Sequence, residues 1–217
     1  MHTTAFTAVF WDFGGVILSS PFDAFNEYER ANGLPIDFIR TVNSHNPDAN
    51  AWALIERREV DAEAFDALFA DESETLGHRV PGRDVLGMLH GSVRPEMVTA
   101  LDRVIDAGYV TACLTNNVSS DRSSDVSDDH RRPDVDAVMA RFHHVIESSK
   151  IGCRKPEPEF YELACAAADV EPDQVVFLDD LGINLKPARA MGMTTIKVLS
   201  AEQAIDDLAS VLSIDLR

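Results

Sequence analysis

The sequence predicts an α/β fold, a doubly wound parallel sheet with a helical unit inserted after the first strand. Three observations predict it. The apolar run Phe6 to Leu18 is broken by one carboxylate, Asp12, and by Gly14-Gly15. From Arg94 onward short apolar strands alternate with helical stretches, the pattern of a parallel sheet with right-handed crossovers. Between Ser20 and His90 only helical periodicity is present.

The run up to Trp11 has the length and the aromatic and β-branched content of a strand buried on both faces. Asp12 falls at its carboxyl end, the edge where open α/β sheets bind ligands. By itself it also fits a turn aspartate before a Gly-Gly bend. Ser20 and Pro21 suit an N-cap and first helical residue, followed by Phe22, Phe25, Tyr28 and Glu29 until Asn32-Gly33. A second piece carries Phe38, Ile39 and Val42 to Asn46-Pro47. Trp52 to Arg58, Asp61 to Phe69 and Arg83 to Leu89 read as further helices. The predicted division is a core of residues 1–18 and 91–217 with a helical insertion of residues 19–90.

Arg94 to Ala107 is an amphipathic helix with Pro95 in its first turn and Gly108 as its stop. Tyr109 to Leu114 is a strand ending in Thr115-Asn116-Asn117. Ser119 to Asp136 is polar and reads as a long surface loop. Val138 to Phe142 finishes a helix and His144 to Ile146 is a short strand; the adjacent His143 and His144 point apart and make no metal pair. After the extended loop Gly152 to Pro158 come a helix over Glu159 to Ala168 and an apolar strand over Gln174 to Leu178, capped by Asp179-Asp180. Asn184 to Met191, Thr194 to Leu199 and Ala201 to Leu212 give the last helix, strand and helix.

At 217 residues the chain can bury one main core and a smaller insertion. Its 45% apolar and 26% charged residues are those of an ordinary globular protein. A formal charge of −18 argues against nucleic-acid binding, which needs clustered Lys and Arg. Phosphate would have to be met locally, by a cation and a few placed basic residues. Cys113, Cys153 and Cys165 form no close pair, so neither a disulfide framework nor a zinc site is expected. No signal peptide is expected, since the first residues lack a basic region and Asp12 interrupts the first apolar run, and no apolar stretch is long enough to span a bilayer. A cytoplasmic protein, monomeric or homodimeric, is expected.

In a parallel sheet the carboxyl ends share one edge, so Asp12, Thr115-Asn116, Lys155 and Asp179-Asp180 are expected to converge in one cleft. Three carboxylates repel unless a cation or Lys155 offsets them. Magnesium, a hard ion that takes carboxylate and carbonyl oxygens, suits the set. A lysine beside it suits a phosphoryl group.

LTNN at 114–117, KPEPEFY at 155–161 and VVFLDDLGINLKPARAMGM at 175–193 resemble motifs of the haloacid dehalogenase (HAD) superfamily. The likeness is greatest to the branch containing the N-terminal phosphatase domain of soluble epoxide hydrolase, without an epoxide-hydrolase domain expected after the terminal helix. The resemblance implies a Rossmann-like core and hydrolysis of a small sugar or lipid phosphate. Asp12 would be the nucleophile, forming an aspartyl-phosphate. Magnesium would be held by Asp12, the Gly14 carbonyl and Asp180. Thr115 and the Asn116 N–H would bind phosphoryl oxygens, with Lys155 neutralising their charge. Asp179 and Asn184 would orient Lys155 and the metal's waters. The insertion would be a cap that closes over the cleft, with Trp52, Phe65 and Phe69 as candidate lining or simply as core.

The departure is at Gly14, where most phosphatases of this superfamily carry a second aspartate as general acid. General acid–base help is worth about 10²–10⁴-fold. Two other functions follow from the same residues: a phospholigand-binding module that has lost turnover, and a haloacid dehalogenase, which has no use for a metal.

Overall fold

Five parallel strands form the sheet, in the order β3-β2-β1-β4-β5. They are β1 (Ala8–Trp11), β2 (Val110–Thr115), β3 (His144–Glu147), β4 (Val175–Asp179) and β5 (Thr194–Lys197). The computed structural model describes residues 5–89, 91–117 and 132–217. Central β1 pairs with β2 through Ala8–Val110 and with β4 through Ala8–Val175. The chain runs from β1 outward to β3, then returns to the other side for β4 and β5. That reversal opens a crevice at the carboxyl edge beside β1.

Strand side chains alternate between faces. Val9, Trp11, Cys113, Val176 and Leu178 pack under α6 (Pro95–Asp106), α7 (Pro133–Met139) and α11 (Ala201–Leu212). Ala8, Phe10, Ala112, Leu114 and Phe177 pack under α9 (Pro158–Ala168), which follows the short α8 (Ser148–Ile151), and under α10 (Gly182–Ala190). With both faces covered, the strands read as continuous apolar runs.

Helices α1 (Phe22–Asn32), α2 (Phe38–Ser44), α3 (Ala51–Glu56), α4 (Ala62–Thr75) and α5 (Gly82–Gly87) surround a third apolar cluster of their own, which includes Phe25, Ile39, Val42, Phe65, Phe69 and Val85. Asn50 caps α3 by accepting from Ala53 N at 2.8 Å, and Asp61 caps α4 by accepting from Ala64 N at 2.8 Å. Buried Glu29 accepts from the backbone N–H groups of Asp37 and Ile39, at 2.8 and 2.9 Å, and so pins the start of α2 to α1. The two crossings between sheet and helices lie side by side: Leu18 and Val93 form an antiparallel bridge, and Ser19 N donates to Ser92 O at 2.8 Å.

Local expectations shift in four places. Pro21, not Ser20, takes the N-cap position of α1. Helix α4 runs past Phe69 to Thr75, because the next turn still buries Ala70 and Ser73. Pro133 to Asp136, read as the end of a polar loop, opens α7, where Pro133 and the acidic Asp134 and Asp136 suit a first turn; the earlier part of that stretch lies outside the described residues. Strand β5 ends at Lys197, although Val198 N still donates to Asp179 O at 3.0 Å. No helix among the described residues is long and apolar enough to cross a membrane.

Candidate active site

Strand β1 delivers Asp12 with its backbone already fixed, since Asp12 N donates to Leu178 O at 2.8 Å. Its Oδ1 accepts from Phe13 N at 2.6 Å and lies 2.8 Å from Lys155 Nζ. Lys155, only 1% exposed, also donates to Asp179 Oδ2 at 2.8 Å. Asp179 ends β4 and is fully buried; it further accepts from Leu181 N at 2.8 Å and from Asn184 Nδ2 at 3.1 Å. Asn184 is in turn fixed by the Tyr161 hydroxyl, which donates to its carbonyl at 2.7 Å. The ammonium therefore bridges two carboxylates whose rotations are set by other donors.

Asp180 completes the acidic set, with one oxygen each of Asp12, Asp179 and Asp180 within 4.8 Å of one another. Its placement depends on the turn after Asp12. Phe13 to Ile17 form a single wide turn closed by Leu18 N donating to Phe13 O at 2.8 Å. Within it Gly15 takes φ +76°, and a Cβ there would sit 2.2 Å from Asp180 Oδ2. Only glycine allows both the left-handed backbone and the carboxylate's approach. Arg94 Nη1 donates to Gly15 O at 3.0 Å, bracing the turn from the start of α6. Gly14 differs: its backbone is extended, and no neighbouring side chain comes within 4 Å of where a Cβ would stand.

Thr115, at the end of β2, is 6% exposed and faces the same cleft. The Asn116 side chain exchanges two hydrogen bonds with the Lys155 backbone, Nδ2 to O and Oδ1 from N, both at 2.9 Å. This pair ties the end of β2 to the loop that carries Lys155.

Burial pushes the Asp12 carboxyl well above its ordinary range; Lys155 opposes this, while Asp179 and Asp180 add to it. Asp180 is pushed up to about 6, first by burial and then by Asp179. For Lys155 burial alone would lower the pKa, but the Asp12 and Asp179 carboxylates outweigh it and raise it, so the lysine stays charged. One lysine against three carboxylates leaves an excess of negative charge. A buried cluster of hard oxygen donors short of positive charge fits magnesium.

A cavity of about 1210 Å³ extends from this floor to the helices. Its far wall carries Phe22, Phe25, Trp52, Leu86 and Leu89. Of the aromatic candidates, Trp52 lines the cavity, whereas Phe65 and Phe69 are fully buried within the helical cluster. Sequence reasoning thus converged on Asp12, Thr115, Asn116, Lys155, Asp179, Asp180 and Asn184, and the structure brings them together. It missed Gly15, Arg94 and Glu56, a buried carboxylate on the cavity wall. The Gly14-Gly15 pair was the one signal available for the first; Arg94 and Glu56 act across distant stretches of chain and left none.

Fold and site together are those of a hydrolase built on a parallel sheet, and residues 6–192 match the haloacid dehalogenase-like hydrolase family. The chain belongs to that family. Acyl-CoA dehydrogenase family member 10 of Mus musculus is 31% identical over 98% of this chain, which spans 20% of that protein. Bifunctional epoxide hydrolase 2 of Mus musculus is 29% identical over 93% of this chain, which spans 38% of it. Among solved structures, a HAD-family enzyme of Bacteroides thetaiotaomicron in complex with magnesium and inorganic phosphate shares the fold, with TM-score 0.60, 17% identity, and coverage of 94% of this chain and 99% of that one.

Proposed function

We propose that the protein is a magnesium-dependent phosphomonoesterase that turns over small-molecule phosphate esters through Asp12, with residues 19–90 as its cap. The observation that carries this is the Lys155 ammonium, 2.8 Å from both Asp12 and Asp179, at the floor of a cavity that also exposes Thr115 and Asp180. Asp12, the Gly14 carbonyl and Asp180 would hold magnesium, which when bound offsets the carboxylate charge and polarises a phosphoryl oxygen.

Asp12 attacks phosphorus, a bond forms from its carboxylate oxygen, and the ester P–O bond breaks. The contacts at Oδ1 fix the carboxylate's rotation for this attack. Thr115 and the Asn116 N–H receive phosphoryl oxygens while Lys155 offsets their growing charge. Asp179 and Asn184 keep the ammonium in place. Gly14 carries no proton donor, so the leaving oxygen takes its proton from water. A second water then attacks phosphorus, the bond to Asp12 breaks, and phosphate is released. A relative that binds magnesium and phosphate on the same fold supports this assignment.

The experiment is magnesium-dependent phosphate release across sugar, aryl, nucleotide and lysolipid phosphates, with Asp12→Asn alongside. Release by the native protein that is lost in Asp12→Asn is expected; release that survives the substitution excludes a covalent role. The missing proton donor at Gly14 motivates a second function, a phospholigand-binding module, and the open space there leaves room to restore a side chain. Gly14→Asp fits the extended backbone there and separates the two. A silent native protein made active by Gly14→Asp identifies the binding module.

A further inference from the structure

Two ion pairs of opposite polarity join the helical unit to the loop that carries Lys155. Glu56, the last residue of α3, has Oε2 2.7 Å from Arg154 Nε; Arg57, the next residue, has Nη1 3.2 Å from Glu157 Oε1. Arg154 and Glu157 flank Lys155 in sequence. Glu56 is 5% exposed and the Arg154 side chain 13%, so both charges have left water. The Arg154 Nε–H is not aligned as a hydrogen bond to any acceptor, so its attraction for Glu56 is one of charge. Glu56 is steadied by Trp52 Nε1, which donates to Oε1 at 3.0 Å, and its Oε2 lies 3.4 Å from Asn116 Nδ2. Asn116 in turn grips the Lys155 backbone.

A carboxylate buried where two apolar units meet costs desolvation that its charged and hydrogen-bonding partners must offset. Arg154 belongs to the loop, so its share of that offset is present only while the helical unit is seated against it. The reversed order of signs, minus then plus on α3 against plus then minus around Lys155, disfavours other registers through like-charge contact.

We infer that Glu56–Arg154 and Arg57–Glu157 form a charge latch that seats the helical unit on the Lys155 loop, making Glu56 a positioning residue for turnover. The inference rests on the phosphomonoesterase assignment for its kinetic readout. With 4-nitrophenyl phosphate and magnesium, Glu56→Gln, which keeps an acceptor for Trp52, lowers kcat by about tenfold with little change in KM, as loss of alignment would. Arg57→Glu and Glu157→Arg each lower kcat by about threefold, and the double variant recovers part of that loss; the Arg57–Glu59 pair at 2.6 Å, which the swap does not restore, accounts for the remainder.

Iodide quenching supplies a readout independent of chemistry. Of the two tryptophans, Trp11 is fully buried in the sheet, so quenching reports Trp52 beside the latch. Each reversal is expected to increase quenching and the double variant to restore it. A double variant no better than the worse single, in rate and in quenching, overturns the latch, as does native kcat in a folded Glu56→Gln. Should Glu56→Gln fail to fold, the charge swap decides alone. Should the native protein hydrolyse no ester, the phosphatase assignment falls and quenching alone judges the latch.

Discussion

The floor and the far wall of the cavity are built on opposite terms. On the floor, Lys155, Asp179 and Asn184 each meet at least two polar partners, and each is set by the end of a strand, the loop beside it or the first turn of α10. On the wall, Phe22, Phe25, Leu86 and Leu89 offer apolar surface from a separate cluster of helices, and charge enters where α3 meets the Lys155 loop. On the proposed function, chemistry would fall where the backbone is rigid and substrate choice to side chains that can change without disturbing it.

The comparison is tested hardest on the floor. Lys155→Met leaves the buried Asp12 and Asp179 carboxylates without their shared cation, beside the half-buried Asp180; phosphate release is expected to fall about 10³-fold, as when a preorganised charge is removed. The fold should lose about 3–5 kcal/mol, the cost of breaking a buried pair. A denaturant titration showing native stability would mean that the floor is no more coupled than the wall.

Gly15→Ala comes next. The added Cβ must displace Asp180 or the turn, and the left-handed backbone adds strain of about 1–3 kcal/mol. Magnesium-dependent turnover should drop about 10²-fold, the cost of a misplacement near 1 Å. Titration of magnesium by thermal shift should show weakened binding; unchanged binding would remove the glycine from the site's construction.

A smaller effect follows from the raised Asp180 pKa. A carboxyl at about 6 in the folded protein and 3.8 when free holds its proton more tightly in the fold. The metal-free protein therefore loses stability as pH rises from 3.8 through 6, and the penalty is complete above that. A cation on the site offsets it there. Magnesium should raise the melting temperature by a few degrees more at pH 7.5 than at pH 5. Equal shifts at both pH values would place the metal elsewhere.

The least effect is expected on the wall. Leu86→Ala should raise KM severalfold, about 1 kcal/mol of lost apolar contact, for an ester with an apolar leaving group, and leave kcat unchanged. A fall in kcat instead would show that the wall shapes chemistry as well as choice.

What the sequence disclosed follows the same division. The strands were legible because both faces are buried, so Val175 to Leu178 is apolar without interruption. Asp12 and Asp179 stood out because each interrupts such a run at its carboxyl end. The wall was harder: Phe65 and Trp52 carry the same helical spacing, yet one is core and the other faces the cavity. Periodicity reports that a side chain is covered and is silent on what covers it. Arg94 was invisible for another reason. Its contact with Gly15 spans 79 positions, and nothing local to either residue encodes it.

The antiparallel meeting of Leu18 and Val93 has a consequence for architecture as a whole. Because both ends of the 19–90 segment leave the sheet at one point, with Gly91 so close to Ser19 that a Cβ would lie 2.5 Å from its carbonyl oxygen, the sheet sees those residues as it would see a hairpin. Closing a loop costs little more as the loop grows. The junction is thus a socket: the strand order does not depend on what fills it, and what the 19–90 segment adds to the acidic floor comes through its contacts with the Lys155 loop.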